Sequence, residues 1–139
     1  MALFAEAKAE VQFYDLDPMQ IVWHGNYPRF LELARCALLD RLDYNYPQMA
    51  ASGYIWPIVD MQIKYVKPAR LFQKLCIRAT LLEYENRIKI GYRISADPSG
   101  ELLTKAQTTQ LCVDAKTGEL RLDCPPDFIR KVEALHGQD

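Results

Sequence analysis

A chain of 139 residues with 50% hydrophobic and 25% charged residues has the proportions of one globular domain, not of a disordered segment. At that length about two-thirds of the chain's surface can be buried, so a core needs no disulfide or structural metal. Seventeen Lys and Arg against eighteen Asp and Glu give a net charge of −1, without the basic excess of a nucleic-acid or membrane-surface binder.

The opening decapeptide carries Glu6, Lys8 and Glu10 where an export signal needs an unbroken apolar stretch, and no run reaches membrane-span length. A cytoplasmic protein is therefore expected. Alternation from Ala5 to Tyr14 predicts a first strand. Asp15-Leu16-Asp17-Pro18 is a turn signal, and a loop follows through Gly25. Asn26 suits a helix cap and Pro28 a first turn. From Arg29 to Leu42 the apolar stripe Leu31, Ala34, Leu38 and Leu42, widened by Phe30, Leu33 and Ala37, predicts a deeply buried helix. Residues 46–53 hold a second short helical piece.

The period then changes from 3.6 to two. Val59 to Tyr65, Leu75 to Leu81, Arg87 to Ile94 and Leu102 to Val113 read as four strands in a meander. The last of them is the most buried. Turn signals stand at Glu85-Asn86, Asp97-Pro98-Ser99-Gly100 and Asp114-Ala115-Lys116-Thr117-Gly118. A short helix, Asp127 to Leu135, ends the chain. The order implies a single α+β domain, one antiparallel sheet curled around one helix. Its open face and edges call for a homo-oligomer.

The chemistry concentrates just before the long helix, where Asp15, Asp17, His24, Gly25 and Asn26 crowd into one loop. Free N–H groups at a helix N-terminus can hold a carbonyl oxyanion, and a carboxylate beside them can attack the carbonyl or activate water. The same residues also suit turn, capping and loop hydrogen bonds. Cys36, Cys76, Cys112 and Cys124 form no CxxC pair, and with two histidines in the chain they read as buried reduced thiols, with no metal expected.

The run Asp15-Leu16-Asp17-Pro18, Ile21-Val22-Trp23-His24-Gly25-Asn26-Tyr27 and Phe30-Leu31-Glu32-Leu33-Ala34-Arg35 closely resembles the signature of hotdog-fold acyl-CoA thioesterases of the 4-hydroxybenzoyl-CoA thioesterase type. Tyr65-Val66-Lys67-Pro68-Ala69-Arg70 and Asp114-Ala115-Lys116-Thr117-Gly118 are similar to later parts of that family. The resemblance implies a hotdog fold of about five strands wrapped around one long helix. It implies hydrolysis of an acyl-CoA to free acid and CoA, without cofactor, in a dimer or dimer of dimers (a homotetramer). It makes Asp17 the nucleophile or general base, and gives the N–H groups near His24 and Gly25 to the carbonyl. His24 would help order the site or the water. Asp15, Asn26, Glu32 and Arg35 become supporting residues, and Lys67, Arg70, Arg87 and Lys89 candidates for the CoA end.

The chain departs from that pattern in three places. Phe13 stands where some relatives have tyrosine, Leu71-Phe72-Gln73 where many have a carboxylate, and Ile88 where a serine commonly follows the basic residue. Two alternatives are an acyl-acyl-carrier-protein thioesterase and an acyl-binding hotdog module without turnover. Hydratases of this fold carry a more compact Asp and His pair than Asp17 and His24.

Overall fold

The computed structural model describes residues 3–136. Five strands form one antiparallel sheet: β1 (Phe4–Glu10), β3 (Ile58–Tyr65), β4 (Lys74–Glu83), β5 (Ile88–Ala96) and β6 (Leu102–Gln110), in the spatial order β1-β4-β5-β6-β3. The expected α+β architecture is present, but the expected four-strand meander is not. Only β4, β5 and β6 are joined as consecutive neighbours. β3 crosses to the far edge and pairs with β6, Lys64 facing Lys105 and Tyr65 facing Thr104. The last strand also stops earlier than its apolar run suggested. Leu111 and Cys112 break it, and β7 (Val113–Asp114) pairs with β2 (Tyr54–Ile55) in a separate two-stranded ribbon.

Alternation decides which face is covered. Leu75, Ile77, Ala79 and Leu81 of β4 and Ile88, Ile90, Tyr92 and Ile94 of β5 are buried, and they face α1 (Tyr27–Arg41). Pro28 occupies the first turn of α1, where its missing N–H costs nothing. The buried side of that helix comprises Phe30, Leu31, Ala34, Leu38 and Leu39. Leu33, read as part of the stripe, is 44% exposed instead, and Ala37 is half-buried. Arg35, read as polar surface, is buried and bonded to Glu32 and to the Tyr46 hydroxyl, which keeps its charge paired.

The first strand ends four residues earlier than expected. Phe13 and Tyr14 leave the sheet in a 3-10 turn (Phe13–Asp15) and are 80% and 74% exposed. The short helix predicted over residues 46–53 is α2 (Tyr46–Ser52), stopped by Gly53 at φ 88°. The terminal helix is α3 (Pro126–His136), whose Phe128 closes the core against Tyr44 and Trp56. Cys112 and Cys124 are the buried thiols expected, whereas Cys36 and Cys76 are only half-buried; all four are free. Among the described residues no helix is long and apolar enough to cross a membrane.

Candidate active site

The loop between β1 and α1 is built around two carboxylates used in opposite ways. Asp15 is 1% exposed and fully engaged. One oxygen accepts the Gln12 N–H at 2.8 Å and the other pairs with Arg29. Its carbonyl accepts from the Trp23 N–H at 3.0 Å and the Asn26 side-chain amide at 2.8 Å. Asn26 stands at the helix N-cap position but makes no cap bond with its side chain, which is committed to Asp15. These two residues brace the loop.

Asp17 opens a tight turn instead. Its carbonyl accepts the Gln20 N–H at 2.9 Å with Pro18 second in the turn, a position whose φ proline presets. Carboxylate Oδ1 accepts the Met19 N–H at 2.8 Å, which fixes the side chain's direction. Oδ2 has no partner among the described residues. The turn hangs between Leu16 and Val22, which bridge each other, and Ile21 pairs in turn with Arg70, so one distant segment also holds it.

Beyond Val22 the chain makes a second 3-10 turn, His24–Asn26, that runs directly into α1. Among the described residues neither the His24 nor the Gly25 N–H has an acceptor, as expected for the first donors of a helical segment. A Cβ on Gly25 would lie 2.5 Å from two ring atoms of Trp23, so the indole fits only over glycine. The Tyr65 hydroxyl donates to the His24 carbonyl at 2.8 Å and anchors the turn to the end of β3. Tyr65 also meets the Tyr27 ring edge-on at 5.0 Å. Tyr27 is buried, its oxygen accepts the Ala69 N–H at 3.3 Å, and desolvation holds its phenol above the ordinary tyrosine range.

These elements enclose a hollow of about 260 Å³ bordered by Asp17, Met19, Ile21, Val22, His24, Tyr27, Tyr65 and the segment Val66, Lys67 and Pro68. The arrangement puts a carboxylate with one free oxygen and His24, whose N–H is free, around one opening, and the free Gly25 N–H follows next in the chain. That is the equipment for attack on a carbonyl and for holding the resulting oxyanion. Among the described residues no three His, Cys, Asp or Glu side chains converge on a metal position.

The other expected site residues are dispersed. Lys67 borders the hollow and pairs with Glu101 at 2.8 Å. Arg70 is exposed on the segment opposite Ile21. Glu32 does not border the hollow; it pairs with Arg35 on α1. Arg87 is bonded to Glu83, and Lys89 lies about six residues along β5 from the level of Lys67, roughly 20 Å of strand. Within one chain, then, Arg87 and Lys89 are not gathered with Asp17. The sequence reading missed Tyr65 as an anchor of the loop, since the 41 residues separating it from His24 carry no local signal.

A five-stranded antiparallel sheet over one long helix, with a carboxylate loop feeding the helix N-terminus, is the hotdog architecture. Residues 11–132 match the thioesterase-like superfamily, and the chain belongs to that family. It is 32% identical over 124 residues to the long-chain acyl-CoA thioesterase FadM of Escherichia coli, covering 84% of this chain and 93% of that protein. It is 25% identical over 131 residues to the acyl-acyl carrier protein thioesterase ATL3 of Arabidopsis thaliana, covering 94% and 67% of the two chains. The structure of a DHNA-CoA thioesterase from Staphylococcus aureus superposes with a TM-score of 0.82 at 28% identity, over 97% and 94% of the two chains.

Proposed function

We propose that this chain hydrolyses an acyl-CoA thioester, with Asp17 as the reacting carboxylate and the start of α1 as the oxyanion site. One observation carries the assignment of Asp17. Its carboxylate is aimed by a single bond at Oδ1, its second oxygen has no partner among the described residues, and it shares the hollow with His24, whose N–H has no acceptor there. The reaction forms a C–O bond at the acyl carbon and breaks the C–S bond. The thiolate leaves as CoA and takes up a proton. Asp17 acts either by accepting the proton of an attacking water or by forming an acyl-aspartyl anhydride that water then opens. His24, exposed and with its ring tilted against that of Trp23, borders the hollow and would order water there.

The similarity to FadM supports CoA as the carrier. Matched acyl-CoA and acyl-carrier-protein substrates, scored by kcat/KM, decide between that and the carrier-protein reading. The hollow of one chain is small and open, and the acyl group would be enclosed by a second copy meeting the β3 edge. Four free cysteines suit a reducing cytoplasm.

Asp17→Asn tests the proposal. General-base and nucleophilic groups commonly contribute factors on the order of 10²–10⁴, so kcat should fall by that much. The melting temperature should barely move, because the amide retains an oxygen for the Met19 N–H. Near wild-type turnover by Asp17→Asn would remove Asp17 from the reaction. A single turnover in ¹⁸O-water with label found in Asp17 would establish the anhydride route.

A further inference from the structure

The face of the sheet turned away from α1 carries a charge pattern that thioester hydrolysis at Asp17 does not use. Strand register lines up one residue from each strand: Glu6, Arg78, Arg93, Lys105 and Lys64. Glu6 and Arg78 neutralise each other at 3.0 Å. Arg93, Lys105 and Lys64 then stand directly side by side, all exposed and with no ion pair among the described residues. Strands lie roughly 4.8 Å apart, so three positive charges span about 10 Å. Like charges facing one another across a ladder are destabilising. They occur here in a chain whose net charge is −1, so general basicity does not account for them.

The next row along the strands is neutral and low: Thr80, Gly91, Gln107 and Gln62. Gly91 stands at its centre without a side chain of its own, and the exposed side chain of Leu82 leans against it, 3.1 Å from where a Cβ would lie. Together the cation row, this floor and Leu82 bound a depression of about 520 Å³. One wall is cationic, the floor carries two carboxamides, and the other wall is apolar.

We infer that this depression is a binding site for a phosphorylated nucleoside, its phosphates on Arg93, Lys105 and Lys64 and its base against the Leu82 side chain that leans on Gly91. A second copy of the chain docked with its two-fold axis through this row would bring the same cations face to face, so the charge argues against self-association in that register. A free nucleotide has this chemistry, and so does the nucleotide end of CoA; only the second source rests on the acyl-CoA reading given above.

Calorimetric titration of the whole protein at low salt, with ATP and separately with adenosine 3′,5′-bisphosphate, tests the site. Saturable binding is expected, weakened at least tenfold in the double variant Arg93→Glu/Lys105→Glu. That variant should fold about as well as wild type, since positions 93 and 105 remain a like-charged pair while each gains an opposite charge in Arg78 or Lys64. Gly91→Val pushes Leu82 off its seat, and it should weaken ATP at least tenfold while leaving inorganic triphosphate bound as before. Absence of saturable binding, or ATP binding indifferent to both variants, overturns the inference. So does binding of an acidic carrier protein where neither nucleotide binds.

The two sources separate by kinetics. If the double variant raises KM for acyl-CoA tenfold but leaves a thioester lacking the nucleotide unaffected, the site holds the substrate's own nucleotide end. If both KM values are unchanged while ATP binding is lost, the ligand is a free nucleotide. Loss of turnover in Asp17→Asn bears on neither result, so the two proposals fail separately.

Discussion

Asp15 and Asp17 stand two residues apart, yet their surroundings give them different work. Asp15 is sealed under the loop with both oxygens engaged, and Asp17 presents one oxygen to a hollow. Asp15→Asn should therefore act on stability. It replaces one acceptor by a donor facing either the Gln12 N–H or Arg29, and leaving such a buried group unmatched costs about 1–3 kcal/mol. Urea unfolding reads that loss, and the residual turnover of the folded fraction should be far nearer wild type than that of Asp17→Asn. Equal stability of Asp15→Asn and wild type would contradict the bracing role. The sequence shows both carboxylates and the turn between them but not which is buried. Burial here is set by Arg29 and Gln12, and nothing in the spacing of the motif distinguishes a brace from a reacting group.

At the level of elements, the strands and α1 were legible because periodicity reports burial on one face, and Pro28 and Gly53 mark a start and a stop. The turn signals at residues 85–86 and 97–100 do join neighbours, β4 to β5 and β5 to β6. No such signal stands between Tyr65 and Lys74, and that is where the expected meander fails. The segment is held instead by the Asp17 loop, with the Val22 N–H donating to the Ala69 carbonyl and Ile21 facing Arg70. Pairing across such distances is invisible to a local pattern. Tyr92 tests the join of β5 to β6. Its hydroxyl meets that of Thr108 at 2.8 Å, and burial pushes its pKa from 10.0 up to about 12. Tyr92→Phe leaves the Thr108 hydroxyl buried alone and should cost about 1–3 kcal/mol in urea unfolding. Changing Thr108 to Val in the same chain should recover part of it. Because the folded pKa is the higher one, wild type keeps this stability below pH 10 and loses it as pH rises towards 12, and Tyr92→Phe lacks that slope. Identical alkaline slopes in the two proteins would show that Tyr92 is not the titrating group.

For the whole molecule the question is what covers the β3 edge. Among the described residues the sheet is not closed, and β3 presents one side of its backbone without a strand partner. On the face that elsewhere packs against α1, β3 carries Met61 and Tyr65, 37% and 47% exposed, with Val59 beside them at a register shift and 53% exposed. Apolar residues left open on a long unpaired edge are a template for another strand, and Tyr65 belongs both to that edge and to the wall of the hollow. The proposed dimer through β3 thus links assembly to turnover. Sedimentation at micromolar concentration should give a dimer or larger, and Met61→Glu should shift it towards monomer by burying a charge in the interface. Turnover of Met61→Glu should fall with the dimer fraction on dilution, although position 61 does not border the hollow. Crowding the variant to restore dimer should restore activity in parallel. A wild-type monomer with full turnover would remove both the β3 interface and the need for a second copy at the acyl site.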